Sequence, residues 1–193
     1  MGGDKLKDFI GGLAAAVQLY QRAGKNGFFI ECVCLATSII DGALRTGLIL
    51  SNQIKENNCI IPEDLLYQRD EDRIISEREV YRRSLNGNII SQQMFNKLEA
   101  LYAQRNKIVH RYIISDIKTI QVLEVAMEYE KIIPAVNDRI RILENEQIRL
   151  GVGMTTPGSK DSDADSDTMT ESMIAKKHQS KVLHHTLKKE ADK

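Results

Sequence analysis

Apolar residues recur at helical spacing through the first 150 residues, and Val, Ile and aromatic side chains never alternate with polar ones long enough to make a strand. That periodicity confines the chain to an all-α fold. A first helix is expected from about Asp4 to Tyr20, with Leu6, Ile10, Leu13, Val17 and Tyr20 on one face. Gly24-Lys25-Asn26-Gly27 reads as a turn. Phe28 to Lys55 is rich enough in Cys, Val, Leu, Ala and Ile to be the central, most buried helix, ended by Asn57 and Asn58. Pro62 opens a short helix or turn. Asp70 to Ser84 is highly charged, with Ile74, Ile75 and Val80 as apolar anchors, and reads as an exposed amphipathic helix. Asn86-Gly87-Asn88 breaks it, and Ser91 is placed to cap a further helix running to about Ile114. Ser115 or Asp116 caps the last one, which Pro134 should kink or split before it ends near Gly151-Val152-Gly153. The expected architecture is an up-and-down bundle of about five helices.

Composition divides the chain further. Residues 1–150 make the bundle, 151–172 an acidic Ser/Asp linker, and 173–193 a basic tail able to form a short helix against a partner. The linker has no apolar periodicity and too little apolar surface to order itself, so it is expected to be disordered. Asp161, Asp163, Asp165 and Asp167 alternate along it and can mimic phosphates, while a plain solubilising role is the simpler reading. The formal net charge is zero, so any attraction to nucleic acid or an anionic membrane must come from a local patch. Cys32, Cys34 and Cys59 sit in apolar surroundings and are expected to be buried reduced thiols in a cytoplasmic protein. Cys32 and Cys34 are too closely spaced for a zinc pair, and His184-His185 has no third ligand. No stretch is expected to reach the roughly 18 apolar residues of a membrane span. FIGGLAAAV resembles a signal sequence only weakly, because Asp4 and Asp8 stand where a basic region should be.

One segment of the penultimate helix is out of character. Gln104 to Ile113 reads QRNKIVHRYI, placing Arg105, Asn106, His110 and Tyr112 in an otherwise apolar pattern. On an ideal helix Leu98, Leu101, Arg105, Ile108 and Tyr112 share a broad face, whereas Arg105 and His110 differ in direction by about 140°. Joint action then requires a distorted helix, an arginine that wraps back, or a site completed by a second copy of the chain. Phosphodiester cleavage in RNA suits these groups. The 2′-hydroxyl is the nucleophile, a histidine moves the proton, and an arginine holds the phosphate and stabilises the charge that builds on it. Asn106 and Tyr112 can bond the phosphate or orient the histidine, and Lys107 and Arg111 can add substrate contacts. Such chemistry requires no metal and no cofactor.

RNKIVH resembles the Arg-x4–6-His motif of HEPN domains, and His110-Arg111-Tyr112 is similar to the extended Arg-x4-His-x-Tyr form found in HEPN toxins paired with nucleotidyltransferase antitoxins. The resemblance implies an all-α bundle of four or five helices and metal-independent ribonuclease activity of a toxin or antiphage effector. It also implies a homodimer in which two motif helices face one cleft. In the paired systems the antitoxin modifies the tyrosine at the place of Tyr112 with AMP. The tail has no counterpart in a minimal toxin.

Plainer readings stand beside these. Arg105 can be a core arginine paired with Asp41 or Glu31, His110 a surface histidine and Tyr112 a half-buried core tyrosine. Asp41 and Arg45, four apart, make an internal ion pair, or Asp41 positions Arg105 or His110 from behind. The run RDEDRIISEREVYRR is a solvated face, or its Arg69, Arg73, Arg78, Arg82 and Arg83 help hold RNA. A HEPN-like bundle without catalysis, serving as a dimerisation or binding module, is the alternative to a nuclease.

Overall fold

The helix from Phe29 to Glu56 touches every other element of the bundle. The computed structural model describes residues 2–66 and 74–155. Five α-helices form among them: α1 (Gly2–Lys25), α2 (Phe29–Glu56), α3 (Glu77–Asn86), α4 (Gln92–Arg111) and α5 (Thr119–Leu150), with a 3-10 turn at Glu63–Leu65. No strand occurs among the described residues. The fold is all-α, as the periodicity requires.

The core is what α2 shares with its neighbours. Val33, Ala36, Ile40, Leu44, Ile49 and Leu50 are fully enclosed, against Val80 and Tyr81 of α3, Leu98 of α4, and Val122, Tyr129 and Val136 of α5. Close packing of this kind removes apolar surface from water and tolerates little change in volume. Gly47 marks a close approach on α2, where an added Cβ would lie 2.8 Å from Ile140 Cδ1 and 3.0 Å from Ile89 Cγ2.

Helix ends follow local chemistry. Ser76 and Ser91 cap α3 and α4 through their hydroxyls, accepting from Glu79 N at 3.3 Å and Met94 N at 3.2 Å. Asn57 closes α2 in the left-handed conformation, and Gly151 does the same for α5. Ser115 and Asp116 do not cap α5. Lys118 does, and Gln121 Oε1 reaches back to accept its backbone N–H at 2.8 Å. Pro134 does not split α5. Both Pro134 and Glu130, whose carbonyl loses its donor, are exposed, so the lost bond falls on the solvent side of the helix while Ile132 and Val136 keep it on the core.

Three other expectations change. α3 begins at Glu77 rather than near Asp70; Ile74 to Ser76 are not helical, and residues 67–73 lie outside the described residues. On α1, Ile10 and Val17 are exposed. The packed side is made by Leu6, Phe9, Ala15, Tyr20 and Ala23, with Leu13 against Gly42, because small residues let the helices close together there. Cys32 is buried, but Cys34 is half-buried and Cys59 exposed, all as free thiols.

α2 is long and apolar enough to cross a membrane by length and composition, contrary to expectation, and 72% of that window is buried inside the bundle. Its apolar surface is taken up by the other helices. The linker beyond residue 155 and the basic tail lie outside the described residues.

At the far end of the bundle two fully buried glutamines tie three segments together. Gln147 Nε2 donates to Leu50 O at 3.2 Å and to Gln53 Oε1 at 2.8 Å. Gln53 Nε2 donates to Ile60 O at 3.3 Å, and Met154 N and Thr155 N donate back to Gln53 Oε1 and Gln147 Oε1 at 3.1 Å each. The segment after α5 is thereby pinned to α2.

Candidate functional site

The register of α4 decides where the motif points. With Ser91 fixing its start, Leu98, Leu101 and Ile108 are buried, Arg105, Asn106 and Tyr112 are half-buried, and His110 is exposed. Arg105 faces a cleft of about 410 Å³ between α2, the start of α3 and α4, lined by Cys34, Thr37, Asp41, Arg45, Glu77 and Val109.

Nearly every polar group in this cleft is engaged. Arg105 Nη2 donates to Glu77 Oε2, and Nη1 donates to Asn106 Oδ1 at 2.8 Å. The guanidinium carbon lies 4.9 Å from the centre of the Tyr102 ring, a cation–π distance. Its Nε is buried without a partner. Glu77 Oε1 accepts from the Tyr81 hydroxyl, so this carboxylate bridges α3 and α4. Opposite, Arg45 Nε donates to Asp41 Oδ2 at 2.7 Å and Arg45 Nη2 to Ile75 O at 2.9 Å, while Asp41 Oδ1 is buried and unpartnered.

Two arginines thus face two carboxylates, and the cleft carries no net formal charge. Burial pushes both acids up: Glu77 stays above the ordinary carboxylate range although Tyr81 and Arg105 pull it down, and Asp41 does so against the pull of Arg45. Burial also drives the Tyr81 hydroxyl far above its usual range, reinforced by the charge of Glu77.

The arginine partner is Glu77, not Asp41 or Glu31. Asp41 forms the ion pair with Arg45 and lines the same cleft as Arg105. Tyr112 ends α4, its hydroxyl 2.9 Å from Thr119 Oγ1 at the start of α5. α4 therefore ends at Arg111, three residues short of Ile114. His110 and Arg111 are exposed, and their side chains make no hydrogen bond or ion pair among the described residues, although Ile114 N donates to the Arg111 carbonyl at 3.1 Å. Lys107 lines a different cleft, between α4 and α5, and pairs loosely with Asp116 at 3.6 Å. The structure thus brings Arg105 and Asp41 to one cleft, with Asn106 bonded to the Arg105 guanidinium, and leaves His110, Arg111, Lys107 and Tyr112 outside its lining.

The charged run is only partly a solvated face. Arg78 pairs with Glu99, Arg82 with Glu79, and Arg83 with both Glu79 and Asp64. Arg69 and Arg73 lie outside the described residues. Glu77 and Tyr81 point inward, and sequence reading passed them over. Their signal was spacing: 77, 80, 81 and 84 form one helical face, and Val80 was already marked as apolar.

Comparison with protein-family models, curated proteins and solved structures found no match in any of the three.

Proposed function

We propose that this protein is a metal-independent endoribonuclease of HEPN type, a toxin or antiphage effector acting in the cytoplasm as a homodimer across α4. What carries the reading is Arg105 in an open cleft with Asn106 bonded to its guanidinium, and His110 exposed five residues on along the same helix. Arg105 holds the scissile phosphate and stabilises its developing charge. His110, the one histidine in residues 1–155, moves the proton between the 2′-hydroxyl and the leaving oxygen. Asn106 orients the guanidinium, Tyr112 supports the site from the end of α4, and Arg111 and Lys107 meet flanking phosphates. Since His110 does not face the cleft of its own chain, the histidine acting there comes from the second copy. Ile113 and Ile114, 94% and 81% exposed at the end of α4, supply apolar surface for that contact.

A second reading is favoured by one observation: Glu77 already neutralises Arg105. On that basis the bundle is a non-catalytic dimerisation module or the partner of a nucleotidyltransferase. The two separate in one assay. Wild type, Arg105→Ala and His110→Ala are incubated with RNA in EDTA. Cleavage by wild type lost in both variants supports the nuclease. Folded, dimeric protein without cleavage in any form supports the module.

A further inference from the structure

A phosphate contacts an arginine best through two parallel N–H groups. The side-on edge of Arg105, formed by Nε and Nη2, is half used. Nη2 is held by Glu77, whereas Nε is buried with no partner. The opposite edge leads to Asn106, and one face is covered by Tyr102. A phosphate that bonds Arg105 through the Nε–Nη2 edge therefore competes with Glu77 for Nη2.

We propose that Glu77 is a latch on Arg105: its carboxylate holds the guanidinium in place in the free protein and yields it when an RNA phosphate enters the cleft. This rests on the ribonuclease reading and adds a positioning residue that sets substrate access. Charge supports it. Arg105 from α4, Arg45 and Asp41 from α2, and Glu77 from α3 balance to zero, so a phosphate gains little from the cleft while Glu77 holds Arg105. Neutralising or withdrawing Glu77 leaves one net positive charge where the phosphate must sit. Release also leaves Glu77 a partner, since its other oxygen keeps the Tyr81 hydroxyl. Burial, helped by the nearby charge of Asp41, holds this carboxyl above its ordinary range against the pull of Tyr81 and Arg105, with Arg45 lining the same cleft, and makes protonation a second route to opening.

The test compares wild type with Glu77→Gln and Tyr81→Phe. Full-length protein is assayed for RNA cleavage in EDTA and for binding of an uncleavable 2′-O-methyl RNA, with circular dichroism confirming the fold. Glu77→Gln keeps the shape and removes the competing charge. It is expected to lower KM, and the dissociation constant of the probe, by about tenfold at neutral pH with kcat maintained. That advantage shrinks as pH falls and the wild-type carboxyl protonates. Tyr81→Phe, which removes the refuge of the released carboxylate, is expected to raise KM. A fall in kcat with KM unchanged in Glu77→Gln overturns the latch and makes Glu77 a plain support of Arg105. If Glu77→Gln does not fold, an unchanged KM in Tyr81→Phe overturns it. If wild type cleaves nothing, the ribonuclease reading fails separately, and probe binding alone decides: tighter binding by Glu77→Gln keeps the latch, equal binding removes it.

Discussion

Glu77 accepts the Arg105 guanidinium on one carboxylate oxygen and the Tyr81 hydroxyl on the other, joining α3 to the motif helix through one buried acid. Because burial raises this carboxyl above its ordinary value of 4.5, the folded protein holds its proton to higher pH than the unfolded chain does. The folded state then binds more protons in that window, so this group's contribution to stability is fullest at low pH and declines as pH rises past 4.5. Glu77→Gln lacks that term. In urea unfolding from pH 4 to 7, the stability of Glu77→Gln relative to wild type should rise with pH. A constant difference would show that the carboxyl is not displaced upward.

Gly153 has a backbone φ of +80°, and any Cβ there would collide with the side-chain amide of Gln147. Both facts oppose a side chain, and the collision cannot be relieved cheaply. The amide is fully buried and bonded to Leu50, Gln53 and Thr155. Gly153→Ala is expected to cost about 2–3 kcal/mol in a denaturant melt, by the positive φ together with displaced buried hydrogen bonds. Gly151→Ala, where φ is +68° and the space is open, bears the backbone cost alone and should lose less, about 1 kcal/mol.

How far the sequence carried depended on whether a signal was local. Ser91, Asn57 and Gly151 act through their own side chain or backbone, so the helix limits they set were readable. Leu98, Leu101 and Ile108 are buried as the 3.6 period requires, which placed Arg105 at the edge of the core. The partner of Arg105 was not readable. Glu77 stands 28 residues away among acids and arginines of identical local character. Only the cap at Ser76, which turns 77, 80, 81 and 84 inward, separates it from Glu79 on the surface. At Pro134 the local rule left a kink or a split open; α5 runs unbroken from Thr119 to Leu150, and Pro134 and Glu130 stand on its exposed side, where a lost hydrogen bond costs least.

The exposed pair Ile113 and Ile114 tests the proposed dimer without touching the cleft. Both lie beyond the last turn of α4 and contribute nothing to the core. Replacing both by Asp should leave the thermal midpoint within a few degrees of wild type, because surface substitutions rarely exceed about 0.5 kcal/mol. If two α4 ends meet there, four buried charges per dimer prevent association. Light scattering should then report a monomer, and RNA cleavage should disappear with the second histidine. A dimer that survives the double substitution places its interface elsewhere.

Arg105→Lys keeps the charge and discards the fork. A lysine ammonium cannot reach Glu77, Asn106 and the Tyr102 ring together, nor present two parallel donors to a phosphate. Were Arg105 only a counter-ion for Glu77, the lysine would restore most of its role, and both stability and any activity would survive. As the phosphate clamp of a ribonuclease, Arg105 acts through geometry that strengthens as charge builds in the transition state. The substitution should then reduce kcat by about 10²–10³, the range seen when one donor to a developing oxyanion is removed. Stability, by contrast, should fall by no more than about 1 kcal/mol, since a partly exposed ion pair persists in altered form. Single-turnover cleavage beside a urea melt separates the two. Activity that falls only in step with the folded fraction would assign Arg105 to the scaffold, and a large loss of kcat in a fully folded protein would assign it to the chemistry.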